Sequence, residues 1–117
     1  MAKAEVPHPL PDPLVELVAE RFRVLGEPMR IKLMDRLRDG AASVSELQEA
    51  VGASQQNVSK HLGILHAAGM VSRSKQGTRT VYEISDPSMF ELCEVVSEGL
   101  RRRLDELAGI LTASGGG

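Results

Sequence analysis

Two short helical segments separated by only three residues, 52–54, constrain the fold of this chain more than any other feature. Ser43 and Glu46 have the spacing of a capping box, which predicts a helix from Ser43 that ends at Gly52. Ser54 can cap the next helix almost at once, and that helix extends to about Ala68. A connection this short is typical of a helix-turn-helix motif, in which the second helix is held out from the body.

Patterns on either side of this motif predict the remaining elements before the last helix. Apolar residues recur at helical spacing after Pro13 and again after Pro28, which predicts two helices with proline in their first turns. Gly26 is expected to end the first of these in a left-handed conformation. Strand-like runs at 71–75 and 79–84 flank a turn and predict a β-hairpin. A hairpin directly after a recognition helix forms a wing.

The last predicted helix is longer than a small core needs. It follows Asp86, a candidate cap, and Pro87, and it runs for about 25 residues with apolar side chains at spacings of three and four. A surplus apolar stripe is typical of a subunit interface, and the apolar first helix is its natural partner. We therefore predict a homodimer through the first and last helices, with the interface residues Leu14, Leu17, Val18, Cys93, Val96, Leu100, Leu104 and Leu107.

A single domain between two flexible ends is the expected organisation of the 117 residues. Alternating prolines predict a flexible arm at 1–12, the domain covers 13–112, and 113–117 form a flexible tail. No apolar run is long enough for a membrane span or a signal peptide. A lone cysteine also excludes an intrachain disulfide, which fits a reducing compartment. We therefore expect no membrane association and a cytoplasmic location.

Charge is distributed unevenly along the chain. The net charge is −2, yet no Asp or Glu occurs from Ala50 to Tyr82, where four cations give +4 and leave −6 for the rest. An island of positive charge indicates a surface that faces an anion. Four cations on an ordinary solvated surface are the alternative, and charge by itself leaves both open.

Three motifs in order resemble the ArsR/SmtB family of winged-helix repressors across 14–110. They are a leucine-glycine-glutamate-proline junction within 22–30, a serine-x-x-x-valine-serine-x-histidine-leucine recognition helix within 54–62, and 65–71 followed by Gly77, Thr78 and Arg79 ahead of Tyr82. The resemblance implies a fold that is mainly α with a small β-hairpin, a winged helix-turn-helix of four helices, the hairpin and a fifth helix. It also implies a homodimer that binds a palindromic operator in double-stranded DNA.

The family's DNA contacts fall on the start of the recognition helix and on the wing. On the helix they match Gln55, Gln56, Ser59 and Lys60, whose side chains can bond base edges or phosphate. On the wing we predict phosphate or minor-groove contacts for Arg73, Lys75 and Arg79. Outside the helix-turn-helix context, Gln55 and Gln56 would be interpreted as ordinary polar residues on the solvated surface of a helix.

The metal sites of the family are not reproduced in this chain. The third-helix cysteine positions are Gln48 and Ala50, and on the fifth helix only Asp86 matches the aspartate, histidine, histidine and glutamate set, whose other positions are Ser88, Gly99 and Arg102. One ligand cannot hold zinc, so we predict no metal site and no cofactor. An unrecognised metal or a thiol effector at Cys93 stays open. His61 and His66 are interpreted as a packed residue and a helix-end residue.

No enzyme motif is present, since the chain has neither a glycine-rich phosphate loop nor a nucleophile elbow. The predicted function is sequence-specific binding of double-stranded DNA by a dimeric repressor, with a small effector or partner protein left open. The alternative is a winged-helix interaction module or co-regulator that works through a partner protein. The stretch without acids favours DNA, because an interaction module has no reason to exclude acids from recognition helix and wing together.

Overall fold

The computed structural model describes residues 5–115, and the sequence of its elements confirms a fold that is mainly α with a small β-hairpin. In order, the elements are α1 (Asp12–Leu25), α2 (Pro28–Leu37), β1 (Ala42–Ser43), α3 (Val44–Val51), α4 (Gln55–Ala67), β2 (Val71–Gln76), β3 (Arg79–Ile84) and α5 (Ser88–Gly115). Residues up to 85 form one compact unit, and residues from 86 onward, which contain α5, form a second.

The core of the first unit lies where α2, α3, α4 and β3 pack against one another. The largest fully buried side chains are Leu33, Met34, Leu47, Val58, Leu62, Leu65 and Met70. The residues from α4 recur at helical spacing, as the sequence predicts, and in α2 the adjacent Leu33 and Met34 are joined by buried Leu37 one turn later. Each contributes about 1.5–3 kcal/mol by leaving water, so these residues fix the position of α4 on the body of the domain.

The helix-turn-helix forms because local hydrogen bonds define the ends of α3 and α4. Ser43 Oγ accepts a hydrogen bond from Glu46 N at 3.2 Å, and Glu46 Oε1 accepts one from Ser43 N at 3.0 Å. Gly52 then adopts a left-handed conformation with φ 66°. Ser54 Oγ accepts from Asn57 N at 3.2 Å at the start of α4. The predicted capping box, the glycine end and the second cap are all confirmed.

Replacing Ser43 with Ala is expected to raise the pKa of Glu46 and to destabilise α3 by about 1 kcal/mol through loss of the cap hydroxyl. Hydrogen bonds from the Ser43 backbone and side chain now hold the pKa of Glu46 below its usual 4.5. Because that pKa is lowered in the folded state, Glu46 stabilises the fold above about pH 4.5, and this contribution is lost as pH falls through the lowered value. NMR titration measures the pKa of Glu46, and a separate urea-unfolding experiment measures the free energy of unfolding. Exposed Ser45→Ala is the control, and an unchanged Glu46 pKa in Ser43→Ala would contradict the prediction.

The sheet contains three strands rather than the two of the predicted hairpin. The strand order is β1-β3-β2, and all pairs are antiparallel. The hairpin pairs Val71 with Ile84 at its base and Gln76 with Arg79 beside the turn, where Gly77 has φ 66°. The two-residue strand β1 was missed because two residues show no alternation of apolar and polar side chains.

The ends of α1 differ in detail from the sequence-based expectation. The helix begins at Asp12, one residue before Pro13, and residues 5–11 form neither helix nor strand. Gly26 has φ −77°, so the expected left-handed end is wrong. Close packing explains the glycine at this position, because an added Cβ would lie 2.9 Å from the Phe22 carbonyl oxygen.

Helix α5 extends further than the sequence predicts. Asp86 Oδ1 accepts hydrogen bonds from Ser88 N at 3.1 Å and Ser88 Oγ at 2.5 Å, which confirms Asp86 as the cap. The helix continues to Gly115, into the segment 113–117 predicted as a tail, because no proline interrupts its backbone hydrogen bonds. Residues 1–4 of the predicted arm and 116–117 of the tail lie outside the described residues. Among the helices within 5–115, none is long and apolar enough to cross a membrane.

Candidate nucleic-acid interface

The exposed face of α4 carries all four helix residues predicted to contact DNA. Gln55, Gln56, Ser59 and Lys60 are exposed within the first two turns of the helix. The opposite face is fully buried through Val58, Leu62 and Leu65. Because these apolar residues fix the rotation of α4, its polar side chains point away from the core and are accessible to a groove of DNA.

A groove of about 560 Å³ brings predicted contacts from α4 and the wing together. Gln55 and Ser59 line it from the helix, and Arg73 and Lys75 line it from β2. The other lining residues are neutral, namely Val44, Ser74, Thr80 and Tyr82. A concave surface with two cations and no acid among its lining residues attracts an anion such as the phosphate backbone.

Three of the predicted contact residues do not line this groove. Gln56 and Lys60 are exposed on α4 beside it. Arg79 lies at the first position of β3, where its Nη2 is 2.5 Å from Glu46 Oε1 in the first turn of α3. In the structure the Arg79 side chain forms this ion pair, and its predicted phosphate or minor-groove contact stays a prediction.

His61, on the buried side of α4, contacts two residues that the sequence analysis did not single out. Its side chain is buried, with Nδ1 3.2 Å from Arg30 Nη1 and Nε2 3.8 Å from Glu27 Oε2. Arg30 can only donate, so Nδ1 of His61 accepts a hydrogen bond from the guanidinium, and Nε2 faces the Glu27 carboxylate. The geometry therefore places His61 as the packed residue that the sequence predicts.

Glu27 and Arg30 connect this histidine to the start of α2. Glu27 Oε2 accepts hydrogen bonds from the backbone N–H groups of Met29 at 2.8 Å and Arg30 at 3.3 Å. Arg30 Nε in turn donates to the Val24 carbonyl at the end of α1. The signal that could have revealed Glu27 is its place directly before Pro28, where an acid caps a helix. Together these contacts fix α4 relative to α1 and α2.

Apolar side chains predicted for a dimer interface are largely exposed in the single chain. On α1, Leu17 is 65% exposed and Val18 37%, while Leu14 is half-buried. On α5, four residues are exposed by 39–64%, namely Val96, Leu100, Leu104 and Leu107, whereas Cys93 is half-buried. Exposed apolar area of this extent on a long helix is typical of a protein interface. The interface itself stays a prediction.

The residues at the family's metal positions hold no ligand set. Asp86 is engaged in the helix cap with Ser88. Within the part of the chain that the structure describes, no group of three or more His, Cys, Asp or Glu side chains has a geometry suited to a metal ion. The absence of a metal and of a cofactor stays a prediction.

Comparison with known proteins gives consistent relatives for this fold and surface. A family model described as a helix-turn-helix domain matches residues 25–73. Rv0081 of Mycobacterium tuberculosis, described as an uncharacterized HTH-type transcriptional regulator, is 36% identical over 101 residues, covering 86% of this chain and 89% of the relative. Its crystal structure superposes with a TM-score of 0.75 at 35% identity, over 84% of this chain and 99% of that one.

Two further matches bear on function and on the fold. The HTH-type transcriptional repressor SmtB of M. tuberculosis is 36% identical over 80 residues, covering 68% of this chain and 59% of the relative. A solution structure titled as the homodimeric winged helix-turn-helix DNA-binding domain of Mb0332 from Mycobacterium bovis, a possible ArsR-family regulator, has a TM-score of 0.72. It is 24% identical and covers 86% of this chain and 95% of that one, so it supports the fold alone.

The relatives and the structure agree on the role of the helix-turn-helix. Rv0081 matches at 36% identity across most of both chains, and the match includes α4 and the wing. The predicted winged helix-turn-helix fold and the prediction of a non-enzymatic DNA-binding regulator are therefore confirmed. This chain belongs to the ArsR/SmtB family of winged helix-turn-helix transcriptional regulators.

Proposed function

We propose that this chain acts as a homodimeric repressor that places α4 and the wing of each subunit on a palindromic operator. The groove between α4 and β2 carries this proposal, because it combines Gln55 and Ser59 with Arg73 and Lys75 in one basic surface. Side chains that can bond base edges lie beside cations that can neutralise phosphates. SmtB, a relative at 36% identity, is described as a repressor, which supports the same direction of regulation here.

The homodimer is supported by the exposed apolar residues of α1 and α5. Leu17, Leu100 and Leu104 are each more than half exposed in the single chain. A second copy would cover the same residues on each partner, as in a two-fold symmetric interface. Such symmetry presents two equivalent α4 helices to the DNA and accounts for a palindromic operator.

Within this assembly the contacts divide into two classes. Gln55, Gln56 and Ser59 lie on the exposed face of α4, where they can bond base edges in the major groove. Lys60, on the same face, can bond guanine or phosphate. Arg73 and Lys75 of β2 neutralise the phosphate backbone and set the affinity of the complex for any duplex. The α4 residues therefore determine which sequence is preferred.

The regulator is proposed to act on DNA in the cytoplasm, without the zinc or arsenic sites of the family. The positions of the family's cysteine pair hold Gln48 and Ala50, whose side chains are poor metal ligands. An effector of another kind, such as a thiol-reactive compound acting at Cys93 or a partner protein, is compatible with this assignment.

Selection of bound duplexes from a random-sequence DNA library tests the proposal. At about 0.15 M salt we expect the purified protein to enrich a palindrome whose half-sites are centred about 10 bp apart, or a near multiple of this spacing. The enriched duplex should bind far more tightly than a scrambled duplex of the same length and composition. If no duplex is enriched over the library, the repressor function fails and the interaction-module alternative gains support.

A further inference from the structure

The ion pair between Arg79 and Glu46 connects the wing to the helix-turn-helix. Arg79 pairs with Gln76 across the hairpin in the last register position before the turn, so its side chain belongs to the exposed end of the wing. Its Nη2 lies 2.5 Å from Glu46 Oε1, although the two residues are 33 positions apart. The two side chains are 59% and 48% exposed.

The capping box orders the Glu46 side chain independently of Arg79. The same Oε1 atom accepts a hydrogen bond from Ser43 N at 3.0 Å, and the Glu46 backbone N–H donates to Ser43 Oγ at 3.2 Å. A carboxylate that the capping box already orders loses less side-chain entropy when it forms an ion pair. Ser43, the last residue of β1 and the cap of α3, also pairs with Val81 of β3, so strand pairing and the ion pair both hold β3 beside the start of α3.

The position of the wing matters because its two other cations line the groove beside α4. Arg73 and Lys75 lie on β2, the outer strand of the sheet, which pairs only with β3 among the described strands. A shift of the hairpin end relative to α3 would change the position of these cations, Lys75 above all, relative to the α4 side of the groove. The ion pair opposes such a shift.

We propose that Arg79 is a positioning residue, which holds the wing against α3 through Glu46 so that Arg73 and Lys75 meet the DNA backbone. The proposal rests on the proposed function, in which the wing contacts DNA. It replaces, for Arg79, the sequence-based prediction that all three wing cations contact phosphate or the minor groove. Because the pair is exposed, its effect is modest, and we expect about a two- to fivefold change in affinity for the operator.

Replacing Glu46 with Gln separates the two roles of Arg79 by the sign of the effect. Glutamine also satisfies a capping box, so Glu46→Gln removes the negative charge and leaves the start of α3 intact. If Arg79 positions the wing, the variant binds the selected operator about two- to fivefold more weakly. If Arg79 instead contacts phosphate, the variant binds more tightly, since it loses a negative charge near the DNA and releases a cation.

Matched variants complete the binding experiment. Glu49→Gln removes a charge of the same sign from an exposed position on the same helix, and it is expected to bind the operator no more weakly than the unmodified chain. Arg79→Ala should weaken binding as much as Glu46→Gln, and the double variant should be no weaker than either single one. Tighter binding by Glu46→Gln, or additive losses in the double variant, would overturn the proposal.

Amide hydrogen exchange of the free protein tests the same proposal without DNA. We expect amides of the wing, residues 72–82, to exchange faster in Glu46→Gln than in Glu49→Gln, and by a larger factor than amides of α2, which report any difference in global stability between the two variants. Equal exchange in the two variants would refute the positioning role whatever the DNA result. Failure to select any operator would refute the proposed function alone, because wing exchange is measured independently of it.

Discussion

Replacing Leu104 with Glu is expected to convert the proposed dimer into monomers or aggregates. Leu104 is 64% exposed in the single chain and lies in the apolar stripe of α5 that the dimer is proposed to bury. A carboxylate at this position would be buried without a partner charge. An uncompensated buried charge makes the free energy of dimer formation less favourable by about 3–5 kcal/mol. Two-fold symmetry places one such charge on each subunit.

Light scattering at micromolar concentration measures this effect directly. The unmodified chain should have twice the monomer mass of 12.6 kDa, and Leu104→Glu should have the monomer mass. Arg102→Glu is the control, because it adds an acid at an exposed position nearby on α5 that points away from the apolar stripe. A mass near 12.6 kDa for the unmodified chain would disprove the interface.

Replacing Gln56 with Ala is expected to reduce the preference of the dimer for its operator over random duplex. Gln56 is exposed in the first turn of α4, and a glutamine that bonds adenine carries about 1–3 kcal/mol of discrimination per base contact. We expect a lower affinity for the operator and little change in the affinity for random duplex, since random duplex offers no matching base at that position. The dependence of affinity on salt should hardly change, because the variant removes no charge.

Arg73→Ala is the matched variant for this experiment. A phosphate contact releases about 0.9 counterion, so removing Arg73 should weaken operator and random duplex alike and reduce the log–log salt slope by about one. Titrations of both duplexes at several salt concentrations separate the two outcomes. If Gln56→Ala lowers both affinities equally, or if Arg73→Ala relaxes the preference at one base pair only, our division between base readers and phosphate contacts is wrong.

The sequence by itself determined the elements whose signals are local. Ser43 and Glu46 form a cap because they are three residues apart. Gly52 can adopt its left-handed conformation because it has no Cβ, whereas an L side chain would be strained there. The apolar spacing within α4 predicted which face is buried, and thereby which face is open to DNA. Each of these features depends on neighbours within about one or two turns of chain, so the order of residues already encodes it.

The tertiary structure alone decided the features that join distant residues. Strand β1 exists because Ala42 and Ser43 find partners on β3, which a two-residue segment cannot signal. The contacts of His61 with Arg30 and of Arg79 with Glu46 span 31 and 33 residues. Composition identified Arg79 as a cation but could not show that a carboxylate lies beside it. The physical reason is that a charge acts on whatever the fold brings within a few ångströms, and only packing determines that neighbour.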